Sequence, residues 1–251
     1  MTDGAVVGIV GPDTDAVVDV VTEAVAQAGG SPVVDAAAAV VEECEFLVAV
    51  GEPALVALAR AGPTVPVLPV AAGRGVRSVT RDTVVGAVES LLATEFEPQH
   101  HSILEVRVGD RTRAQALLDV MLVSAEPAQI SEYAVQSAEE LVAQFRADGV
   151  VLATPAGSSG YANAAGAPVL ASDVDAATVV PIAPFETDMD HWVLPNDGLR
   201  LTIERDEAVV HLLADDRIVG AVDPEESVTV APGDSMTVAV VPASQTPYGS
   251  E

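Results

Sequence analysis

The chain has 251 residues, 49% of them apolar but only 3% aromatic, enough for one large domain or two modest ones with a core of Val, Ala and Leu. Its 38 acidic residues outnumber 11 basic ones, all arginine, for a net charge of −27; without lysine, a Walker-type P-loop, a protein-kinase nucleotide site and Schiff-base chemistry are excluded, and no basic stripe is present to meet nucleic acid. Cys44, the single cysteine, excludes disulfides within the chain and Cys-rich zinc sites.

In chain order, Ala5 to Val10 is a short apolar run that predicts a strand, which Gly11-Pro12 interrupts. Asp13-Thr14-Asp15 can cap a following helix whose Val17, Val18, Val20, Val21, Ala24 and Val25 recur at helical spacing, closed by Gly29-Gly30. Pro32 to Val34 predicts a second strand, Ala36 to Glu43 a polar-edged helix, and Phe46 to Val50 a third strand. Gly51-Glu52-Pro53-Ala54 leads into a predicted helix over Leu55 to Ala61, followed by a strand over Pro66 to Val70 and a helix over Asp82 to Leu92. Strands and helices alternating at this interval predict a parallel sheet with helices on its faces. Gly8 and Gly11 make no dinucleotide fingerprint, because Thr14 stands where its third glycine is needed.

The pattern changes after Glu95-Phe-Glu-Pro-Gln-His-His101, which reads as a polar linker between domains; His100 and His101 lack a third ligand at recognisable spacing, so no metal is expected there. Ile103, Glu105, Arg107 and Gly109 alternate in strand fashion, and β-rich segments follow, with Pro232-Gly233 expected to close a hairpin before a strand over Ser235 to Val241. Val150 to Ala153 predicts a buried strand that Thr154-Pro155 ends. Gly157, Ser158, Ser159 and Gly160 can then turn their backbone N–H groups toward one point, with the small residues Ala162 to Ala165 continuing as a helix. Such a turn suits an anion or a ribose hydroxyl. A plain Gly/Ser loop between two elements fits the same spacing as well.

The stretch Thr154-Pro-Ala-Gly-Ser-Ser-Gly-Tyr161, running on to Gly166-Ala-Pro168, resembles the Thr-Pro-Thr-Gly-Ser-Thr-Ala-Tyr…Gly-Gly-Pro signature of NAD kinases. Other blocks resemble the same family: Asp148-Gly149 before the turn, Pro66-Val-Leu and Gly73-Arg74, Ala116-Leu-Leu-Asp119-Val120 for Ala-Leu-Asn-acid-Val, Val179 to Pro184, and Leu212-Leu-Ala-Asp215-Asp-Arg217 for an Asp-Gly-Gln hairpin. The family's Gly-Gly-Asp-Gly-Thr block stands here as Val50-Gly51-Glu52-Pro53-Ala54. The resemblance implies a two-domain NAD-kinase-like fold: an N-terminal α/β domain with a Rossmann-like parallel sheet over 1–95, a β-rich domain over 96–241 with a nucleotide cleft between the two, and a polar tail over 242–251. It implies NAD or NADP as ligand, held by Gly51, Gly73, Arg74, Asp119, Asp148, Thr154, Gly157, Ser158, Ser159, Tyr161 and Asp215. Glu52 would be the catalytic base, with ATP or polyphosphate and Mg²⁺ joining if the chain is catalytic. A homo-oligomer, dimer or tetramer, is implied as well, with Asp148 reaching the nucleotide across a subunit boundary.

Three departures fall on groups the family uses. Glu52 for Asp pushes the carboxylate out by about one methylene, and a misplacement of ~1 Å can lower a rate about 10²-fold. Pro53 for Gly removes a phosphate-facing N–H, typically a loss of ~3 kcal/mol of transition-state stabilisation, and Leu118 replaces an Asn that anchors adenosine. Phosphorylation of NAD to NADP is therefore expected to be weak or lost, with a non-catalytic, regulatory nucleotide-binding paralogue as the alternative. The acids are spread through both halves, where they repel over the ~10 Å Debye length of dilute buffer but only roughly 3 Å at molar salt, the pattern of a halophile's protein. No long apolar run escapes interruption and no basic segment follows Met1, so neither a membrane span nor a signal peptide is expected, and the expected location is cytoplasmic.

Overall fold

The chain divides into two compact units, Met1–His101 with Ser235–Glu251, and Ser102–Asp234. The structure, a computed structural model, describes residues 4–12, 14–126, 129–186, 189–205, 208–224 and 226–248. The sequence reading divides the chain differently, at 95/96 with a separate tail from 242. The contacts instead return 235–251 to the first unit, where Gln245 N donates to Ser78 O at 3.0 Å and Arg77 Nε to Gln245 O at 3.4 Å.

In the first unit the apolar runs form strands β1 (Val6–Val10), β2 (Ser31–Val34), β3 (Phe46–Val50) and β4 (Val67–Val70), separated by helices α1 (Ala16–Gln27), α2 (Ala37–Val40) and α3 (Glu52–Ala61) and followed by α4 (Val84–Leu92). The strands pair in parallel in the order β2–β1–β3–β4, and Val67 of β4 pairs with Val238 near the end of the chain. Val7, Ile9, Val48, Val50, Leu68 and Val70 of the sheet are buried against Val17, Val21 and Val25 of α1 and Val84, Val88 and Leu91 of α4. Asp15 caps α1, accepting from Val17 N at 3.1 Å, and receives both terminal nitrogens of Arg81 at 2.9 Å. The Arg81 guanidinium, then the Val17 amide, hold its carboxyl below the ordinary value. Asp13, its expected companion, lies outside the described residues. Helix bounds differ from expectation: α2 is shorter, α4 begins at Val84 rather than Asp82, and α3 begins three residues earlier, so Glu52 and Pro53 lie inside it.

The second unit is antiparallel. Its strands are β5 (Glu97–Val108), β6 (Arg111–Ala116), β7 (Asp119–Ser124), β8 (Ser131–Ser137) and β9 (Glu140–Ala153), then the single-turn helix α5 (Tyr161–Ala164). After it come β10 (Ala176–Pro184), β11 (Trp192–Pro195), β12 (Leu199–Arg205), β13 (Val210–Ala214), β14 (Arg217–Val222) and β15 (Ser227–Val240), with β5 and β15 each running from one unit into the other. The order is β14–β13–β7–β9–β8–β12–β15, with β10 on β9 and β11 on β10. Alternate residues, among them Leu104, Val106, Leu122, Val150, Leu152 and Leu201, make its core.

Two expectations are corrected. Glu95 to His101 is not a linker: β5 starts at Glu97, and His101 is buried at 3% exposure. Pro232-Gly233 does not close a hairpin but lies within β15, which pairs with β5; an added Cβ on Gly233 would approach Ile103 O to 3.2 Å. Among the described residues no helix is long and apolar enough to cross a membrane.

Candidate functional site

The residues singled out in the sequence fall into two groups, one in each unit. In the second unit, Leu117 and Leu118 link β6 to β7. Asp215, at the tip of the β13–β14 hairpin with φ 50°, accepts hydrogen bonds from Leu117 N at 2.9 Å, Leu118 N at 2.7 Å and Asp119 N at 3.2 Å. Its own N–H donates to Asp119 O at 2.9 Å. From the other side Thr154, 4% exposed, donates Oγ1 to Leu117 O at 2.7 Å and its N–H to Leu118 O at 2.9 Å, while Oγ1 accepts from Gly157 N at 3.2 Å. A Cβ on Gly157 would overlap the Leu118 carbonyl, so glycine is required there. The link is thus satisfied on both its donor and its acceptor sides, as buried backbone demands.

Asp119 is 8% exposed. It pairs with Ala153 of β9, which pairs with Thr178 of β10, so the three share one sheet face. On that face Val151, Ala153 and Val180 pack beneath Ala162 of α5 and Ala167. Thr178 was not foreseen. Its Oγ1 is buried and has no hydrogen-bond partner, and its one signal in the sequence is a hydroxyl within the apolar run Ala176 to Val180.

The expected convergence of N–H groups in the Gly/Ser turn is corrected: Gly157 N bonds Thr154 Oγ1, Ser158 N bonds Pro155 O at 3.4 Å, and Gly160 N bonds Gly157 O at 3.0 Å. Three of the four N–H groups are thus taken up within the turn itself. Ser158 is fully buried, its Oγ donating to Pro155 O and accepting from Leu170 N, both at 2.9 Å, so it locks the turn from inside. Ser159 is half-buried and Tyr161 is 48% exposed, whereas Asp119 is buried. Asp148 is not beside them. It lies in β9 six residues before Thr154, about 20 Å away at ~3.3 Å per residue.

In the first unit Gly51, with φ 87°, donates to Val70 O at 2.8 Å and ties the carboxyl ends of β3 and β4 together. Glu52 is then the first residue of α3 and Pro53 the second. First-turn N–H groups have no intrahelical acceptor, so proline there removes no helix bond. A Cβ on Gly73 would lie 3.8 Å from Glu52 Oε2, which places that carboxylate over the Gly73 backbone. Gly73 has φ 93°, and its carbonyl accepts from the buried Ser78 hydroxyl at 2.8 Å, folding the loop that continues into Arg74. Gly51, Glu52, Gly73 and Arg74 are therefore gathered at one end of the parallel sheet. A separate concavity of about 500 Å³, lined by Gln136, Glu139, Asp197, Arg200 and Thr229 among others, contains none of the expected residues.

The fold agrees with the comparisons. A family model for the ATP-NAD kinase C-terminal domain matches residues 117–242, half of the chain. The chain belongs to the NAD kinase family. It is 36% identical over 143 residues to an NAD kinase of Methanosarcina barkeri, a match covering 50% of this chain and 52% of that protein, so it spans about half the length of the curated relative. The fold is similar to the crystal structure of an NAD kinase from Archaeoglobus fulgidus in complex with ATP, with TM-score 0.74, 21% identity and 92% of each chain covered. It is also similar to that of yeast NADH kinase complexed with NADH, with TM-score 0.76, 19% identity, and 97% of this chain and 84% of that one covered.

Proposed function

We propose that this protein binds NAD or NADP and catalyses a slow phosphorylation of the adenosine-ribose 2′-hydroxyl of NAD, with Glu52 as the base and ATP or polyphosphate as donor. The observation that carries this reading is the position of Glu52, first in α3 with its carboxylate over Gly73, where a base can meet phosphate-bearing substrate at a helix N-terminus. Asp119, Ser159 and Tyr161 contact the dinucleotide, and Asp148 serves a nucleotide held by another copy in a homo-oligomer. Mg²⁺ arrives with the donor's phosphates, as that ion usually does. Turnover is slow because Pro53 offers no N–H and the buried Leu118 no polar anchor. The same two residues favour the second reading, a regulatory protein that binds the dinucleotide without phosphorylating it. The protein works in a salt-rich cytoplasm.

The deciding assay compares NADP formation by wild type, Glu52→Ala and Glu52→Asp/Pro53→Gly, with ATP and with polyphosphate in molar salt, alongside calorimetric titration of NAD. Slow wild-type turnover that vanishes in Glu52→Ala is expected. Binding without turnover in the wild type, with activity gained only in the double variant, establishes the regulatory reading. No heat with NAD or NADP at millimolar concentration overturns both.

A further inference from the structure

We propose that Asp215 is a positioning residue: it orients Asp119 and seats the Thr154–Gly157 turn, and does not itself touch nucleotide. This rests on the proposed function only in taking Asp119 as a nucleotide contact. The carboxylate already accepts three backbone N–H bonds, Oδ2 from Leu117 and Oδ1 from Leu118 and Asp119. An ionised carboxylate is the side chain suited to this, with two oxygens and no donor of its own, and such charge-assisted bonds are stronger than neutral ones. An Asn at the same place would offer one oxygen and turn an NH₂ group against a backbone N–H. The return bond from Asp215 N to Asp119 O closes a ring through the residue it orients.

The segment so held is the seat of the Gly/Ser turn. Leu117 O and Leu118 O receive the Thr154 hydroxyl and amide, and Gly157 lies against the Leu118 carbonyl with no room for a Cβ. A displacement of Leu117–Asp119 therefore moves two features together, the buried Asp119 carboxylate and the turn that presents Ser159 and Tyr161. The β13–β14 tip thereby controls ligand geometry from outside the ligand's reach, with Asp215 held at φ 50° to aim the carboxylate.

Two measurements test this. Hydrogen exchange at the Leu117, Leu118 and Asp119 amides, followed in wild type and Asp215→Asn, requires no nucleotide; exchange at those amides should quicken about tenfold or more, the consequence of losing charged hydrogen bonds. Unchanged exchange there overturns the proposal. Calorimetric Kd values for NAD in wild type, Asp215→Asn, Asp119→Asn and the double variant, taken well below melting, separate the roles. Asp215→Asn should weaken binding about tenfold alone and no further once Asp119 is replaced, because it acts through that residue. Additive losses mean that Asp215 contacts the nucleotide directly, and an unchanged Kd means that the link is scaffold alone; either result overturns positioning. If Asp215→Asn does not fold, Thr154→Val and Thr154→Ser probe the same segment from its acceptor side: the valine variant should lose affinity and the serine variant keep it, and equal affinity in the two overturns the proposal. A wild type that binds no dinucleotide defeats the functional reading, while the exchange experiment still decides whether Asp215 holds the link.

Discussion

Gly157 and Ala71 show what one methyl group decides. At Gly157 a Cβ would overlap the Leu118 carbonyl, so Gly157→Ala should destabilise by about 1–3 kcal/mol, the range for overpacking, and weaken NAD binding in parallel. Denaturant unfolding and titration check both; a neutral result would show that the turn shifts freely. Ala71 has φ 50°, a left-handed backbone that alanine resists and Asn tolerates. Ala71→Asn should therefore stabilise by about 1 kcal/mol, read by denaturant unfolding. His101 contributes a pH dependence of stability. Burial, with a smaller contribution from nearby His100, lowers its pKa from 6.5 to about 4, and its Nε2 has no hydrogen-bond partner. The folded state therefore keeps it neutral while the unfolded chain takes up a proton near 6.5. Its contribution is fully present above that value and lost as pH falls from 6.5 to about 4, roughly 3 kcal/mol in all. His101→Phe should flatten the stability-against-pH curve across that window, measured by urea unfolding; parallel curves would refute it.

At the scale of elements, α3 and β15 show how proline and glycine change meaning with context. Pro53 reads in the sequence as a break before a helix, yet it occupies the second helical position, where its fixed φ is compatible and no hydrogen bond is lost. Pro53→Gly should accordingly cost about 0.4–1 kcal/mol of stability by loosening the unfolded chain, while restoring an N–H in the first turn of α3. A lower melting point with raised NADP formation is the expected pair of results; a higher melting point contradicts the helix assignment. Pro232-Gly233 looks like a hairpin turn for the same local reason. Its place inside a fourteen-residue strand depends on β5, which no local pattern names.

For the molecule as a whole the governing quantity is −27 on a 25.6 kDa chain. Like charges repel over about 10 Å at 0.1 M salt and about 3 Å at 1 M, so compaction should strengthen steeply between those concentrations. Circular dichroism melts should rise across the series and show structure lost at the dilute end. A melting point independent of salt would sink the reading of this surface as salt-adapted.

The succession of a parallel α/β unit and an antiparallel one was determined by the sequence alone, because apolar spacing at 3.6 and at 2 residues is a local property. Family membership was legible too, since the Thr154 to Pro168 block is contiguous. Only the tertiary structure decided which polar groups of that block look outward. Thr154, Ser158 and Asp215 carry the residue types of a binding site but are turned inward, and Asp148 stands far along its strand from the turn it precedes in the chain. The reason is that buried backbone donors and acceptors must be paired, and the partners are distant in sequence: Thr154 meets Leu117 across 37 residues, and Asp215 meets Leu117 across 98.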